Sequence, residues 1–215
     1  MKKTVSKKIV RTRFPLPLAL AIVSMASGFA ILVFIFFPIL WLELTYTAHS
    51  LKTSTPQTTT TLSPTPVKPI STDFGIVIPK INANAPIVKD VDAFDSATYQ
   101  QALAKGIAHA RDTSTPDTAG NTFLFAHSAQ NWLNANRYNA VFYLLYKLEK
   151  GDKFSVYYKG KEYIYKIEEK KTVSGESVEV MKTSEYPRSV TLMTCWPPGT
   201  TFQRLIVVGS LQEVK

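Results

Sequence analysis

The chain has 215 residues, of which 45% are hydrophobic and 19% charged, with one cysteine, three histidines and a formal net charge of +9. A single thiol excludes an intramolecular disulfide and any cysteine-based zinc site, and His49, His109 and His127 lack the short spacing of a metal-binding pair. Of the net charge, +6 comes from Lys2, Lys3, Lys7, Lys8, Arg11 and Arg13, so about +3 remains for everything that follows. A nucleic-acid binder concentrates basic charge on its folded part, so no nucleic-acid partner is expected.

Residues 1–13 therefore read as a basic cytoplasmic tail. From Phe14 to Leu42 no side chain is charged. The central stretch, 18–37, is about 20 residues, roughly the 30 Å of a hydrocarbon core at 1.5 Å per residue. Pro15, Pro17 and Pro38 lie toward its ends, and Trp41 and Tyr46 stand where interfacial anchors belong. A cleaved signal peptide is the rival reading, but its apolar region is only about 7–15 residues and ends in a small-x-small site. Thr45-Tyr46-Thr47-Ala48 is a poor match. An uncleaved transmembrane helix over 14–44 is expected, with the basic end held in the cytoplasm and everything after Glu43 outside the plasma membrane.

Residues 45–70 are rich in Thr, Ser and Pro, as in Thr53-Ser54-Thr55-Pro56 and Ser63-Pro64-Thr65-Pro66. Such a segment buries too little apolar surface to offset its ordering entropy and reads as an extended stalk. Residues 71–215 are long enough for one core. Phe74-Gly75-Ile76-Val77-Ile78 predicts a strand stopped by Pro79, and residues 96–105 predict a short helix stopped by Gly106. A strand follows over 122–126. Residues 141–146 are apolar without a decisive period, so helix and strand both stay open. Residues 154–158 and 162–167 flank Lys159-Gly160-Lys161 as a hairpin, Lys171-Thr172-Val173 extends its second strand, and 178–184 suggests a helical turn. Near the end, 189–194 predicts a strand broken by Trp196-Pro197-Pro198-Gly199-Thr200, and Arg204-Leu205-Ile206-Val207-Val208 a returning strand. Paired as a hairpin, these would bring Cys195 and Arg204 to one mouth of a sheet. Seven or eight short strands with few helices suggest a small closed β-barrel, mainly β in class.

The run Thr191-Leu192-Met193-Thr194-Cys195, followed by Arg204 at the start of the next strand, resembles the signature of the sortases, membrane-anchored cysteine transpeptidases of bacterial surfaces. Asn121-Thr122-Phe123-Leu124-Phe125-Ala126-His127 resembles the strand that carries the family's histidine, with Ala126 where the family usually has glycine. Phe142-Tyr143-Leu144-Leu145 leading into Lys150-Gly151-Asp152-Lys153-Phe154 is similar to the family's link into its middle strands. The likeness runs from about Phe74 to Leu211 and implies the sortase barrel. It also implies Cys195 as nucleophile, His127 and Arg204 as its catalytic partners, and Thr194 and Trp196 beside the substrate. The implied substrates are surface proteins with a C-terminal Leu-Pro-x-Thr-Gly-like sorting signal, cut after Thr. An amine acceptor, from a cell-wall precursor or a pilin lysine, completes the implied reaction. Pilus-building members carry a lid marked by Asp and a nearby aromatic. Here Asp73-Phe74 already begins the first strand, so no lid is expected, and no second span at the carboxyl end either.

The residues argue the same chemistry on their own. A leftover thiol in an exported domain is reactive or pairs between chains. A thiol attacks as thiolate, and one with an ordinary pKa near 8.5 is mostly protonated at neutral pH. An arginine can favour the thiolate permanently, whereas a histidine does so only while protonated. With ordinary values near 8.5 and 6.5, only about one thiol–imidazole pair in a hundred is thiolate plus imidazolium. The duller readings are a buried cysteine, a satisfied core histidine and a strand threonine. His109 reads as structural and His49 as solvated. Arg111, Arg137 and Arg188 rival Arg204, which only the hairpin register favours. No cofactor is expected. A calcium site of the kind some members carry, considered at Glu168-Glu169 and Glu176 to Glu179, is not predicted, because acidic loop residues are usually just solvated. The alternatives to a transpeptidase are a hydrolase that cuts sorting signals without an acceptor, and a membrane-tethered binding barrel with no chemistry.

Overall fold

The computed structural model describes residues 20–33, 37, 67–128, 141–181 and 184–215. The chain divides into two compact units, Met1–Thr55 and Pro56–Lys215. In the first, residues 20–33 form helix α1, exposed throughout. Among the described residues no helix is long and apolar enough to cross a membrane. The whole of the tail, the rest of the expected span apart from Phe37, and the stalk up to residue 66 lie outside the described residues.

The second unit is a closed barrel of eight strands, β1 (Phe74–Ile78), β2 (Ala83–Val91), β3 (Ile107–Ala110), β4 (Gly120–Phe125), β5 (Lys153–Tyr158), β6 (Lys161–Ser174), β7 (Arg188–Trp196) and β8 (Gln203–Val214). Around the barrel the order is β1-β2-β3-β4-β7-β8-β6-β5, and pairing of β1 with β5 closes it. Among the described residues only β2–β3 and β4–β7 pair in parallel. A parallel pair needs a long crossover, and the β5–β6 hairpin lies within the crossover that joins β4 to β7. Ile76, Leu124, Phe154, Tyr165, Ile167 and Leu192 are among the fully buried side chains. Gly209 permits one close approach, since a Cβ there would stand 2.8 Å from the Phe154 ring.

Local chemistry accounts for most of these elements. In the β5–β6 hairpin, Lys159 (φ 51°) and Gly160 (φ 78°) supply the two positive φ angles of a two-residue turn whose twist matches the strands. The short helix α2 (Ser96–Leu103) is capped by Asp95, which accepts from the Ala97 amide at 3.2 Å. It ends two residues before the expected Lys105. The undecided apolar stretch is a 3-10 helix, Tyr143–Lys147, and the helical turn shortens to Glu179–Met181. Two strands were not anticipated, β2 and β3. Ala83-Asn84-Ala85-Pro86 has weak strand propensity, and proline argues against a central strand. Pairing of β2 with β3 begins only at Ile87, so Pro86 lies beyond that ladder. Asn84 then closes the entry to the unit, accepting from the Ile70 amide at 2.9 Å and donating to the Lys68 carbonyl at 2.9 Å.

His109 on β3 is fully buried. A bulge in β2 at Asp90 (φ 57°) turns that residue's amide to donate to Nδ1 at 3.3 Å, while Nε2 lies 3.1 Å from the Ser114 carbonyl and 3.1 Å from the Thr113 hydroxyl. The ring is neutral with its proton on Nε2, as a structural histidine should be. Burial pushes its pKa below the ordinary 6.5, against the Asp90 carboxylate 3.6 Å away, which acts in the other direction. The unfolded chain thus binds a proton that the folded one refuses. Stability is complete above the unfolded value and falls as pH drops below about 6.5. Thermal melts from pH 7 to 5 should show this loss, and His109→Gln should flatten it. An unchanged slope in the variant would assign the acid sensitivity elsewhere.

Candidate active site

The site is built on three adjacent strands. Alternation along β4 puts Asn121, Phe123 and Phe125 on one face, with His127 continuing that row past the strand end. Along β7 the matching row is Ser189, Thr191, Met193 and Cys195, and the parallel register sets Phe123 beside Thr191 and Phe125 beside Met193. In the antiparallel β7–β8 pair, Cys195 stands directly opposite Arg204, as the hairpin reading required. Opposed residues of such a pair share a face, with Cα atoms about 4.5–5.5 Å apart, so the thiol and the guanidinium emerge together.

The ends of β4 and β7 are tied. The Ala126 amide donates to the Met193 carbonyl at 3.2 Å, and the buried Thr194 hydroxyl donates to the Ala126 carbonyl at 2.9 Å. Thr194 therefore couples the residue before His127 to the residue before Cys195. Ala126 is not among the positive-φ residues, so its backbone does not call for the family's glycine. Ser128 is buried, and its hydroxyl accepts from the Gly199 amide at 3.4 Å, joining the segment after His127 to the β7–β8 turn.

His127, Thr194, Cys195 and Arg204 all line one cleft of about 340 Å³. Its other walls are largely apolar, with Phe94 and Tyr99 on one side and Val178 and Met181 of the β6–β7 loop on the other. His127 is half-buried, its Nε2 is 3.2 Å from Gln100 Oε1 on α2, and desolvation pushes its pKa below 6.5. At neutral pH the resting ring is neutral and able to accept a proton. Arg204 Nη1 donates to the Thr201 carbonyl at 3.0 Å and to the Gln203 carbonyl at 3.1 Å. Among the described residues no hydrogen bond engages its Nη2. The guanidinium passes over Gly175, where a Cβ would stand 3.5 Å from it.

Of the five residues singled out in the sequence, four meet at the cleft. Trp196 points to the other face of β7, its ring 5.5 Å from that of Tyr146, and does not line the cleft. Two of the three rival arginines are engaged elsewhere. Arg111 pairs with Asp92 at 3.2 Å, Arg188 donates to the Pro116 carbonyl and covers the Tyr163 ring, and Arg137 lies outside the described residues. Glu168 and Glu169 lie on β6 rather than on a loop, paired with Lys166 at 3.0 Å and Lys171 at 2.9 Å. No group of three or more His, Cys, Asp or Glu among the described residues could hold a metal ion. Gln100 and the apolar walls were not anticipated, because a polar residue on a short helix carries no sign of its partner across the barrel.

The family model for the sortase domain matches residues 76–212, more than half of the chain. This chain belongs to the sortase family. It is 31% identical to sortase D of Bacillus subtilis (strain 168) over 135 residues, 61% of this chain and 60% of that protein. The match thus spans less than two thirds of the curated relative. Among solved structures, sortase E1 of Streptomyces coelicolor, with a tripeptide in its active site, is 27% identical with a TM-score of 0.56, covering 66% of this chain and 89% of that one. Sortase C of Clostridium perfringens SM101 is 28% identical with a TM-score of 0.52, covering 66% of this chain and 71% of that one. Relatives from several lettered classes resemble this sortase about equally, so no class is assigned.

Proposed function

We propose that this sortase is a cysteine transpeptidase that cuts a Leu-Pro-x-Thr-Gly-like sorting signal after Thr and joins the new carboxyl end to an amine. The observation that carries the reading is the direct pairing of Cys195 with Arg204 in a cleft that His127 also lines. Cys195 loses its proton to the neutral His127 ring, and the sulfur attacks the Thr carbonyl carbon. Charge develops on the carbonyl oxygen, and Arg204 Nη2 and the backbone around 194–196 are its donors. The tetrahedral centre collapses, the Thr–Gly C–N bond breaks, and His127 returns its proton to the leaving glycine amine. A thioester to Cys195 remains. An acceptor amine then attacks it, His127 takes the amine proton, and the thiolate leaves as a peptide bond forms. The tripeptide in the active site of the similar Streptomyces sortase supports a short peptide as occupant.

The remainder of the proposal rests on the sequence. Residues 1–13 form a cytoplasmic tail, 14–44 span the plasma membrane, 45–70 form a stalk, and 71–215 act outside on surface proteins, with a cell-wall precursor or pilin lysine as acceptor. The test uses the full chain in detergent, a Leu-Pro-x-Thr-Gly peptide library and triglycine, with products followed by mass spectrometry and Cys195→Ala as control. A transfer product absent from the control is expected. Cleavage without transfer would make the protein a hydrolase. Silence from both proteins, with Cys195 inert to alkylation, would leave a binding barrel.

A further inference from the structure

We infer that Asn121 is a positioning residue for substrate selection, its buried amide seating the β6–β7 loop as one wall of the cleft. The inference rests on the transpeptidase reading for the identity of the substrate. Asn121 is 4% exposed, at the inner end of the row that leads along β4 to His127. A side-chain amide offers two donated hydrogens and an oxygen with two lone pairs. Here Oδ1 accepts from the Ser189 hydroxyl at 3.0 Å and the Thr191 hydroxyl at 2.9 Å, both on β7, the strand that carries Cys195. Nδ2 donates to the Met181 carbonyl at 3.0 Å and the Val180 carbonyl at 3.5 Å. One amide therefore bolts a loop to the strand that carries the thiol.

The amide gives that loop a buried tie. Glu179–Met181 is only a short 3-10 turn with no buried residue, so apolar burial does not hold it down. Yet it stands between two cavities. Met181 and Val178 face the cleft, while Val180 and Glu179 face a second cavity of about 490 Å³ over Ile206 and Val208. The position of Val180 and Met181 sets how much of the space above β7 and β8 belongs to the cleft. Val178 and Met181 are apolar, so the wall they form selects an apolar side chain of the bound peptide. Buried networks of this kind impose one arrangement because every alternative leaves a polar group unpaired.

Asn121→Leu keeps the branched heavy-atom shape and removes all four bonds. Asn121→Asp keeps an acceptor for Ser189 and Thr191 but gives up donation to the loop carbonyls, and it decides the matter if the leucine variant does not fold. Ser189→Ala removes one strand-side bond and leaves the loop seated. With full-chain protein, KM for the peptide should rise about tenfold in the Asn121 variants, equivalent to about 1.4 kcal/mol, while kcat and Cys195 alkylation by iodoacetamide stay near parent values. Ser189→Ala should keep the parent KM. Hydrogen exchange over 174–181 should quicken in Asn121→Asp with β7 unchanged. A folded aspartate variant with parental KM and parental loop exchange overturns the inference, as does a fall in alkylation matching the fall in turnover. If the parent cleaves no peptide, the transpeptidase reading fails, and the exchange comparison alone decides whether Asn121 seats the loop.

Discussion

His127→Ala should lower kcat/KM for transfer by about 10²–10⁴-fold, the usual worth of a positioned proton-transfer group. The melting temperature should change little, since the ring is half-buried and, among the described residues, has one polar contact, to exposed Gln100. The pH profile carries more information than the loss itself. Desolvation favours the neutral ring, so the acid limb of kcat/KM should lie below pH 6.5. The sign follows from the chemistry, because a ring already protonated in the free enzyme no longer takes the thiol proton. Gln100→Glu places a carboxylate where the amide oxygen now lies 3.2 Å from Nε2. That charge stabilises the imidazolium, so the acid limb should move up, by about half a unit to one unit for so exposed a partner. Gln100→Leu should cost about two- to tenfold in kcat, the value of one hydrogen bond of 0.5–1.5 kcal/mol. An acid limb that stays put in Gln100→Glu would separate His127 from that limb.

Arg204→Ala should lower kcat by about 10²–10³-fold, the cost of removing one donor to a developing oxyanion. Lysine should not rescue it. The guanidinium uses Nη1 to hold the Thr201 and Gln203 carbonyls, which aims the rest of a planar fork along the cleft. An ammonium is a single point charge and cannot hold those carbonyls while presenting a donor to substrate. Both variants should melt near the parent, because Cys195 and Arg204 form the last pair but one of their ladder. Kinetics distinguish the alternatives. Loss of kcat with KM unchanged marks contact made in the transition state, whereas a raised KM with parental kcat would make Arg204 a plain substrate anchor. Arg204→Lys within about threefold of parent would remove the fork from the mechanism.

Parts of this site were legible because their causes are local. Trp196-Pro197-Pro198-Gly199-Thr200 cannot continue a strand, and apolar runs on either side make a hairpin the natural outcome. That reading placed Cys195 against Arg204, and the register agrees. Lys159-Gly160 marked the β5–β6 turn for the same reason. Strand β2 was hidden because its buried positions include Ala83 and Ala85, which carry little strand signal, beside a proline. Trp196 next to the cysteine suggested a substrate contact, but neighbours on a strand face opposite ways, and its ring meets Tyr146 instead.

By itself the sequence determined the barrel class, the family, the single thiol and the hairpin that sets the guanidinium beside it. Each follows from residue types at short spacing. Only the tertiary structure decided that β4 lies parallel to β7, and with it that Thr194 holds Ala126, that Asn121 holds the 180–181 carbonyls, and that Gln100 meets His127. The first two contacts join residues 68 and 60 positions apart. The cost of closing a loop grows only slowly with its length, so separation along the chain says little about which partner is chosen. Packing and the satisfaction of buried polar groups make that choice, and they exist only once the barrel has closed.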